Sequence, residues 1–207
     1  MMSSIYDTYD RYDVEFFDDT ILTLVTDIPH LVEEWISEIE YIHRNDLHHL
    51  IVGLDVEWRP NTTKGVQNPV ATLQLCVGPR CLIFQIIHSA YIPQSLVNFF
   101  RNMDYTFTGV GIYEDISKLY TDYNLCVWKV ADLRELAADK YDAVELYKAG
   151  LKDLAKRVLE TEIYKPKWIT MSRWDEEWLS PAQVQYACLD AFLSFEIGRI
   201  LINGPGC

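Results

Sequence analysis

A chain of 207 residues with 49% hydrophobic and 24% charged side chains has the apolar surface to bury one domain core, which excludes a disordered polymer. Its 18 basic and 31 acidic residues give a net charge of −13, and no apolar run approaches the roughly 18 residues needed to span a bilayer. Met1 to Ile5 lacks the basic start and apolar stretch of a secretory signal, so the expected address is the cytoplasm, with the nucleus open, and no membrane partner.

In chain order, Tyr12 to Asp27 alternates apolar and polar residues around Asp18-Asp19 and predicts a hairpin or a pair of extended strands. Ile28 to His43 predicts an amphipathic helix, with Leu31, Trp35, Ile36, Ile39 and Ile42 at helical spacing. Three short runs rich in branched residues, Leu50 to Trp58, Val70 to Val77 and Cys81 to Ile87, predict consecutive strands joined by Pro60 to Asn68 and by Gly78-Pro79. Next come a helix near Pro93 to Asn102, a strand over Tyr105 to Gly111, a helix over Tyr113 to Tyr123 and a fifth strand over Cys126 to Val130. The remainder is largely helical, over Leu133 to Tyr141, Leu151 to Leu159 and Ala182 to Ile202. The pattern predicts an α/β fold, a mixed sheet of about five strands covered by helices, with a short N-terminal β extension and helix in front.

Three places carry chemistry. Along Ile51-Val52-Gly53-Leu54-Asp55-Val56-Glu57-Trp58 side chains alternate, so Asp55 and Glu57 share one face and Val52, Leu54 and Val56 the other. Two carboxylates so placed repel each other and resist desolvation, so a cation is expected between them unless the strand ends with both acids solvated. In Thr108-Gly109-Val110-Gly111-Ile112-Tyr113-Glu114-Asp115 a strand enters a glycine-bearing turn, and Asp115 falls in the first turn of the next helix, where the helix dipole favours an acid. Glu114 stands three after Gly111, so a dinucleotide fingerprint is excluded. Ser180-Pro181-Ala182-Gln183 fits an N-cap, a proline at the first helical position and a capping box. With the start fixed there, Tyr186 and Asp190 lie four apart on one helix face, the spacing of an ordinary hydrogen bond as well as of a site.

Together, DxE on the first core strand, Asp at a strand-to-helix turn some 60 residues later and YxxxD on a terminal helix resemble the DEDDy group of 3′-5′ exonucleases in the DnaQ-like, RNase H-like superfamily. Val70-Ala71-Thr72-Leu73-Gln74-Leu75-Cys76, Cys81-Leu82-Ile83-Phe84-Gln85, Leu151-Lys152-Asp153-Leu154 and Tyr186-Ala187-Cys188-Leu189-Asp190-Ala191 are similar to the Werner-type branch. The resemblance starts at Leu50, which makes residues 1–49 an extension packed on the core and residues 50–207 the exonuclease domain. The acidic N-terminal segment, with Tyr12-Asp13-Val14-Glu15-Phe16-Phe17 and Leu24-Val25-Thr26-Asp27, resembles a plant subgroup that includes the RISC-interacting clearing exoribonucleases. Those enzymes act on single-stranded RNA as ring-shaped homohexamers and associate with Argonaute proteins.

The resemblance implies a role for each residue. Phosphodiester hydrolysis with two divalent ions, Mg²⁺ or Mn²⁺, ~4 Å apart requires hard oxygen ligands. Asp55 would bridge both ions, Glu57 and Asp190 would hold the water-activating one, and Asp115 the second, partly through water. Tyr186 would orient the attacking water, because a phenol with a pKa near ~10 is a poor base at neutral pH. Val56, Trp58 and Tyr186 are the implied substrate contacts, with Trp58 able to stack on a terminal base or pack in the core. Gln185 stands where the sister DEDDh group has histidine, which excludes that group. The implied activity is release of 5′-mononucleotides from single-stranded 3′ ends, RNA before DNA. Its rivals are a Werner-like DNA exonuclease and a non-catalytic member that binds nucleic acid or protein, which the intact five-residue set disfavours.

Charge is unevenly placed. Residues 1–40 carry eleven acids against Arg11 alone, whereas Lys148 to Arg173 carries seven bases (Lys148, Lys152, Lys156, Arg157, Lys165, Lys167, Arg173) and three acids. The basic stretch reads equally as a solvated helix face or a phosphate-tracking groove. The acidic segment either docks on a neighbouring copy, giving a homo-oligomer, or folds onto its own sheet. His48-His49 reads as a helix-strand connection. Cys76, Cys81, Cys126, Cys188 and Cys207 are odd in number without a CxxC, which predicts free, buried thiols.

Overall fold

A computed structural model describes residues 9–63 and 65–204. Met1 to Ile5 and Cys207 lie outside these residues.

The Tyr12–Asp27 alternation folds as strands β1 (Tyr9–Phe16) and β2 (Asp19–Thr26), joined by a two-residue turn at Phe17 and Asp18. Helix α1 (Pro29–Ile42) turns Val32, Trp35, Ile36 and Ile39 inward. Strands β3 (Ile51–Trp58), β4 (Val70–Val77) and β5 (Arg80–Phe84) then form an antiparallel meander. Helix α2 (Gln94–Phe100), strand β6 (Thr106–Gly109), helix α3 (Ile112–Tyr123) and strand β7 (Val130–Asp132) follow, with β6 parallel to β3 and β7 parallel to β6. Helices α4 (Leu133–Tyr141), α5 (Leu151–Val158), the single turn α6 (Lys167–Thr170) and the long α7 (Pro181–Asn203) complete the chain. The sheet is seven-stranded and mixed, in the order β1-β2-β5-β4-β3-β6-β7.

Five strands are the α/β core expected from the sequence, and the other two are the N-terminal hairpin. β2 pairs in parallel with β5, so the acidic segment folds onto its own sheet and β1 becomes the outer strand.

Strand alternation decides which helices cover which face. Val52, Leu54 and Val56 are buried, and on their face Phe107 of β6 meets Phe99 and Phe100 of α2, with Trp35 of α1 edge-on to Phe99. The opposite face belongs to α7, which buries most of its circumference and so lacks a polar stripe. Ser180 Oγ accepts from the Gln183 N–H, and Gln183 Oε1 accepts from the Ser180 N–H, which is the capping box read from the sequence. Two glycines let α7 lie flat on the sheet. A Cβ at Gly53 would stand 2.0 Å from the Ala191 carbonyl oxygen, and one at Gly198 would stand 2.7 Å from Thr108 Oγ1.

One strand falls elsewhere than expected. The sequence predicts the fifth strand over Cys126 to Val130, whereas β7 starts at Val130. The short β6 sets the register: Phe107 pairs with Val130 and Gly109 with Asp132. Of the preceding residues, Cys126 and Val127 are half-buried beside Leu125 at 2% exposure, Trp128 is exposed, and the Trp128 N–H is bound to the Phe100 carbonyl instead of a ladder. β5 likewise stops at Phe84, three residues before Ile87. Cys76, Cys81, Cys126 and Cys188 are free, and all but Cys126 are buried. His48-His49 closes a 3-10 turn before β3, with His48 Nδ1 3.3 Å from Asp104.

Candidate active site

β3 and α7 together build the site. β3 delivers Asp55 and Glu57 on the face that α7 covers, and close docking at Gly53 brings Asp190 onto them. Carboxylate oxygens of Asp55, Glu57 and Asp190 lie within 4.8 Å of one another. Burial pushes Asp55 well above the usual carboxylate range, and Asp190, Asp115 and Glu57 push it further. Glu57 is raised by burial and then by Asp190. Asp190 is raised by burial, with Lys165 pulling it back. Such a cluster demands a cation.

Lys165 supplies one. Its Nζ donates to Asp190 Oδ2 at 2.6 Å and stands 4.9 Å from the centre of the Tyr186 ring. Burial would lower this ammonium, but Asp190 and Asp55 outweigh it and hold Lys165 above the usual lysine range. Tyr186 is 8% exposed, accepts a 3.3 Å hydrogen bond from the Thr170 hydroxyl, and is pushed up to about 12 by burial and then by Asp190. Its hydroxyl therefore keeps its proton at neutral pH and can orient a water, not deprotonate one.

Asp115 stands beside this group, in the first turn of α3. The turn before it favours glycine, because Gly111 has φ +71°, a backbone conformation that residues bearing a side chain rarely adopt. Arg134 grips Asp132, Nη2 to Oδ2 2.9 Å and Nε to Oδ1 3.2 Å, while Asp132 caps α4. Burial, Glu114 and Asp132 push Asp115 up to about 8, with Arg134 opposing.

The donor set fits a divalent cation. Three hard oxygens converge on rigid elements, a fourth acid couples to them, and an ammonium already sits among them.

Val56 turns its side chain into the core at 4% exposure, so its main chain alone faces the site. Trp58 is half-buried, with Lys118 Nζ 5.2 Å from its ring centre, and it lines an open groove of about 460 Å³ with Tyr113, Glu114 and Ser117. The basic stretch divides: Lys165 enters the acidic cluster, while Lys156 pairs with Glu162 at the exposed surface. Sequence reasoning called for a cation but did not single out Lys165, nor did it find Arg134 or Asp132, which no motif marks.

Residues 25–203 match the protein family described as 3′-5′ exonuclease, and the chain belongs to that family. An Arabidopsis thaliana protein named 3′-5′ exonuclease is 38% identical over 156 residues, covering 74% of this chain and 53% of that protein. The mouse bifunctional 3′-5′ exonuclease/ATP-dependent helicase WRN is 33% identical over 154 residues, 74% of this chain and 11% of that protein, which bears out the Werner-type kinship. The chain thus spans about half the length of the Arabidopsis relative and far less of WRN. In fold, the Nibbler EXO domain of Aedes aegypti superposes with a TM-score of 0.68 at 20% identity over 87% of each chain. Escherichia coli RNase D does so with 0.67 at 16% identity, over 83% of this chain and 43% of that one.

Proposed function

We propose that this chain is a metal-dependent 3′-5′ exonuclease that hydrolyses phosphodiester bonds at single-stranded 3′ ends, RNA in preference to DNA. The observation that carries the reading is the convergence of Asp55, Glu57 and Asp190 within 4.8 Å, with the protonated Tyr186 hydroxyl beside them. In this reading two divalent ions, Mg²⁺ or Mn²⁺, supply an acidified water and charge stabilisation at the leaving oxygen when bound. Asp55, Glu57 and Asp190 would hold the metal among their converging oxygens, and Asp115 would contribute a further carboxylate from α3. Tyr186 orients the attacking water in line with the scissile bond. The water oxygen bonds to phosphorus, the bond to the 3′ oxygen of the preceding nucleotide breaks, and that oxygen takes a proton, releasing a 5′-mononucleotide. Trp58 and the groove along α3 receive the terminal nucleotides. Matched labelled RNA and DNA strands test this: 5′-mononucleotide release is expected only with Mg²⁺ or Mn²⁺, and faster from RNA. Metal-independent release, or none from either strand, overturns it.

Tyr186→Phe removes only the hydroxyl. Turnover is expected to fall on the order of 10²-fold with metal affinity nearly unchanged, as befits the loss of one oriented hydrogen bond. Single-turnover kinetics with a parallel Mn²⁺ titration separate the two.

The same reading includes a homo-oligomer, hexameric by resemblance to the plant subgroup, with Argonaute association on the same ground, and a cytoplasmic or also nuclear address from the absence of a signal-like start in Met1 to Ile5. Charge supports the oligomer: residues 1–40 carry −10, and Lys148 to Arg173 carries +3 once Lys165 is set aside for the acidic cluster. Because the hairpin belongs to its own sheet, the contact would use the outer edge of β1 and Phe17, 74% exposed at its tip. Light scattering at micromolar concentration is expected to give a multiple of 24.1 kDa. Deleting residues 1–20 is expected to lower that mass and the exonuclease rate together, whereas a fully active monomer removes the proposal.

A further inference from the structure

We propose that Lys165 is a displaceable counter-ion, whose ammonium holds the cation position among Asp55, Glu57 and Asp190 until a divalent ion expels it. The inference rests on the metal-site reading above and adds a step that the five-residue set does not contain.

Geometry argues for occupancy. Lys165 Nζ takes Asp190 Oδ2 at 2.6 Å, on one of the three carboxylates whose oxygens converge within 4.8 Å. One carboxylate cannot serve both cations at full strength, and two positive charges a few ångströms apart in a partly desolvated site repel strongly. The divalent ion, with twice the charge, takes the oxygens.

The setting argues for displacement. Lys165 lies between α5 and α6 on an irregular strap whose residues 162–165 make no main-chain hydrogen bond to main chain among the described residues. Its neighbour Tyr164 is 85% exposed, and the Lys165 side chain itself is 29% exposed against 7% for Asp190. The ammonium therefore reaches the acids from the solvent side and can withdraw to water by rotating its own stem. A permanent structural ion pair would instead be locked by further hydrogen bonds, as Arg134 and Asp132 are by three.

The test uses the full chain and Mn²⁺ without nucleic acid, at pH 8.5, where protons compete least for the carboxylates. Calorimetric titration is expected to show Lys165→Met binding Mn²⁺ tighter by roughly tenfold or more, with Lys165→Arg close to wild type. In the wild type, reductive methylation read by mass spectrometry is expected to increase at Lys165 when Mn²⁺ is added. Lys118, 13% exposed and paired with Asp122 at 2.8 Å, is the internal standard that does not change. Equal or weaker Mn²⁺ binding by Lys165→Met, or unchanged labelling of Lys165, overturns the counter-ion; should that variant fail to fold, the labelling decides. Absence of Mn²⁺ binding by wild type and variants alike removes the metal site itself, and the counter-ion with it, which is a different result from equal binding.

Discussion

Asp55→Asn is expected to lower mononucleotide release on the order of 10³-fold while raising the melting temperature of the metal-free protein. The two effects share one cause. Asn keeps the shape of the side chain but removes the charge that neutralises bound cations, and with it the electrostatic stabilisation on which such chemistry depends. Without metal, that same charge is a liability, because burial and then Asp190, Asp115 and Glu57 oppose it. The sign with pH follows. A carboxyl whose folded-state value is raised contributes stability below its unfolded value and loses it as pH rises through the folded value. Wild type and Asp55→Asn should therefore melt together near pH 4 in chelator. The variant should lead increasingly toward pH 8, by about 2–4 °C for each kcal/mol of repulsion relieved at this chain length. A variant that melts lower at every pH would show that Asp55 is held by favourable contacts instead.

Asp115 gives the same direction over a stated window. Its folded value near 8 means that its ionisation weakens the fold progressively from about pH 4 to 8 unless a cation is present. Added divalent metal should then flatten the pH dependence of the melting temperature, the expected behaviour of a fold that stores repulsion for a ligand to relieve.

How much of this was legible in the sequence depends on range. The capping box at Ser180, the alternation of Asp55 and Glu57 with Leu54 and Val56, and the helix start before Asp115 are local rules, and the structure keeps each. Long-range pairing was less accessible. Nothing between residues 19 and 26 announces that β2 will pair with β5, some 58 residues away in register, so the hairpin read as an extension before it was seen as part of the sheet. β7 slid by four residues because the partner strand, not the apolar content of Cys126 to Val130, fixes register. Lys165 is one of seven bases in its stretch and the acids that call for a cation lie elsewhere in the sequence, so only the tertiary fold joins Lys165 to Asp190.

The glycine at 53 was equally silent, yet the site hangs on it. Gly53→Ala would put a methyl group 2.0 Å from the Ala191 carbonyl oxygen and 2.6 Å from the Phe195 nitrogen, both of them main-chain atoms that no rotamer can move. α7 must lift from β3, and because Tyr186 and Asp190 ride on α7 while Asp55 and Glu57 ride on β3, lifting opens the acidic cluster itself. Overpacking against backbone costs about 3 kcal/mol or more, so a melting temperature lower by roughly 6–12 °C is expected for a chain of this length. Mn²⁺ affinity and mononucleotide release should fall with it, even at temperatures where the variant is still folded. Gly150→Ala is the control: Gly150 caps α5 at φ −85°, and the nearest atom to its Cβ is Asp153 Oδ2 at 3.9 Å, so a change under about 1 kcal/mol is expected. Near-wild-type stability and metal binding in Gly53→Ala would mean that α7 is not seated on β3 in this way, and the convergence of Asp190 with Asp55 would lose its structural basis.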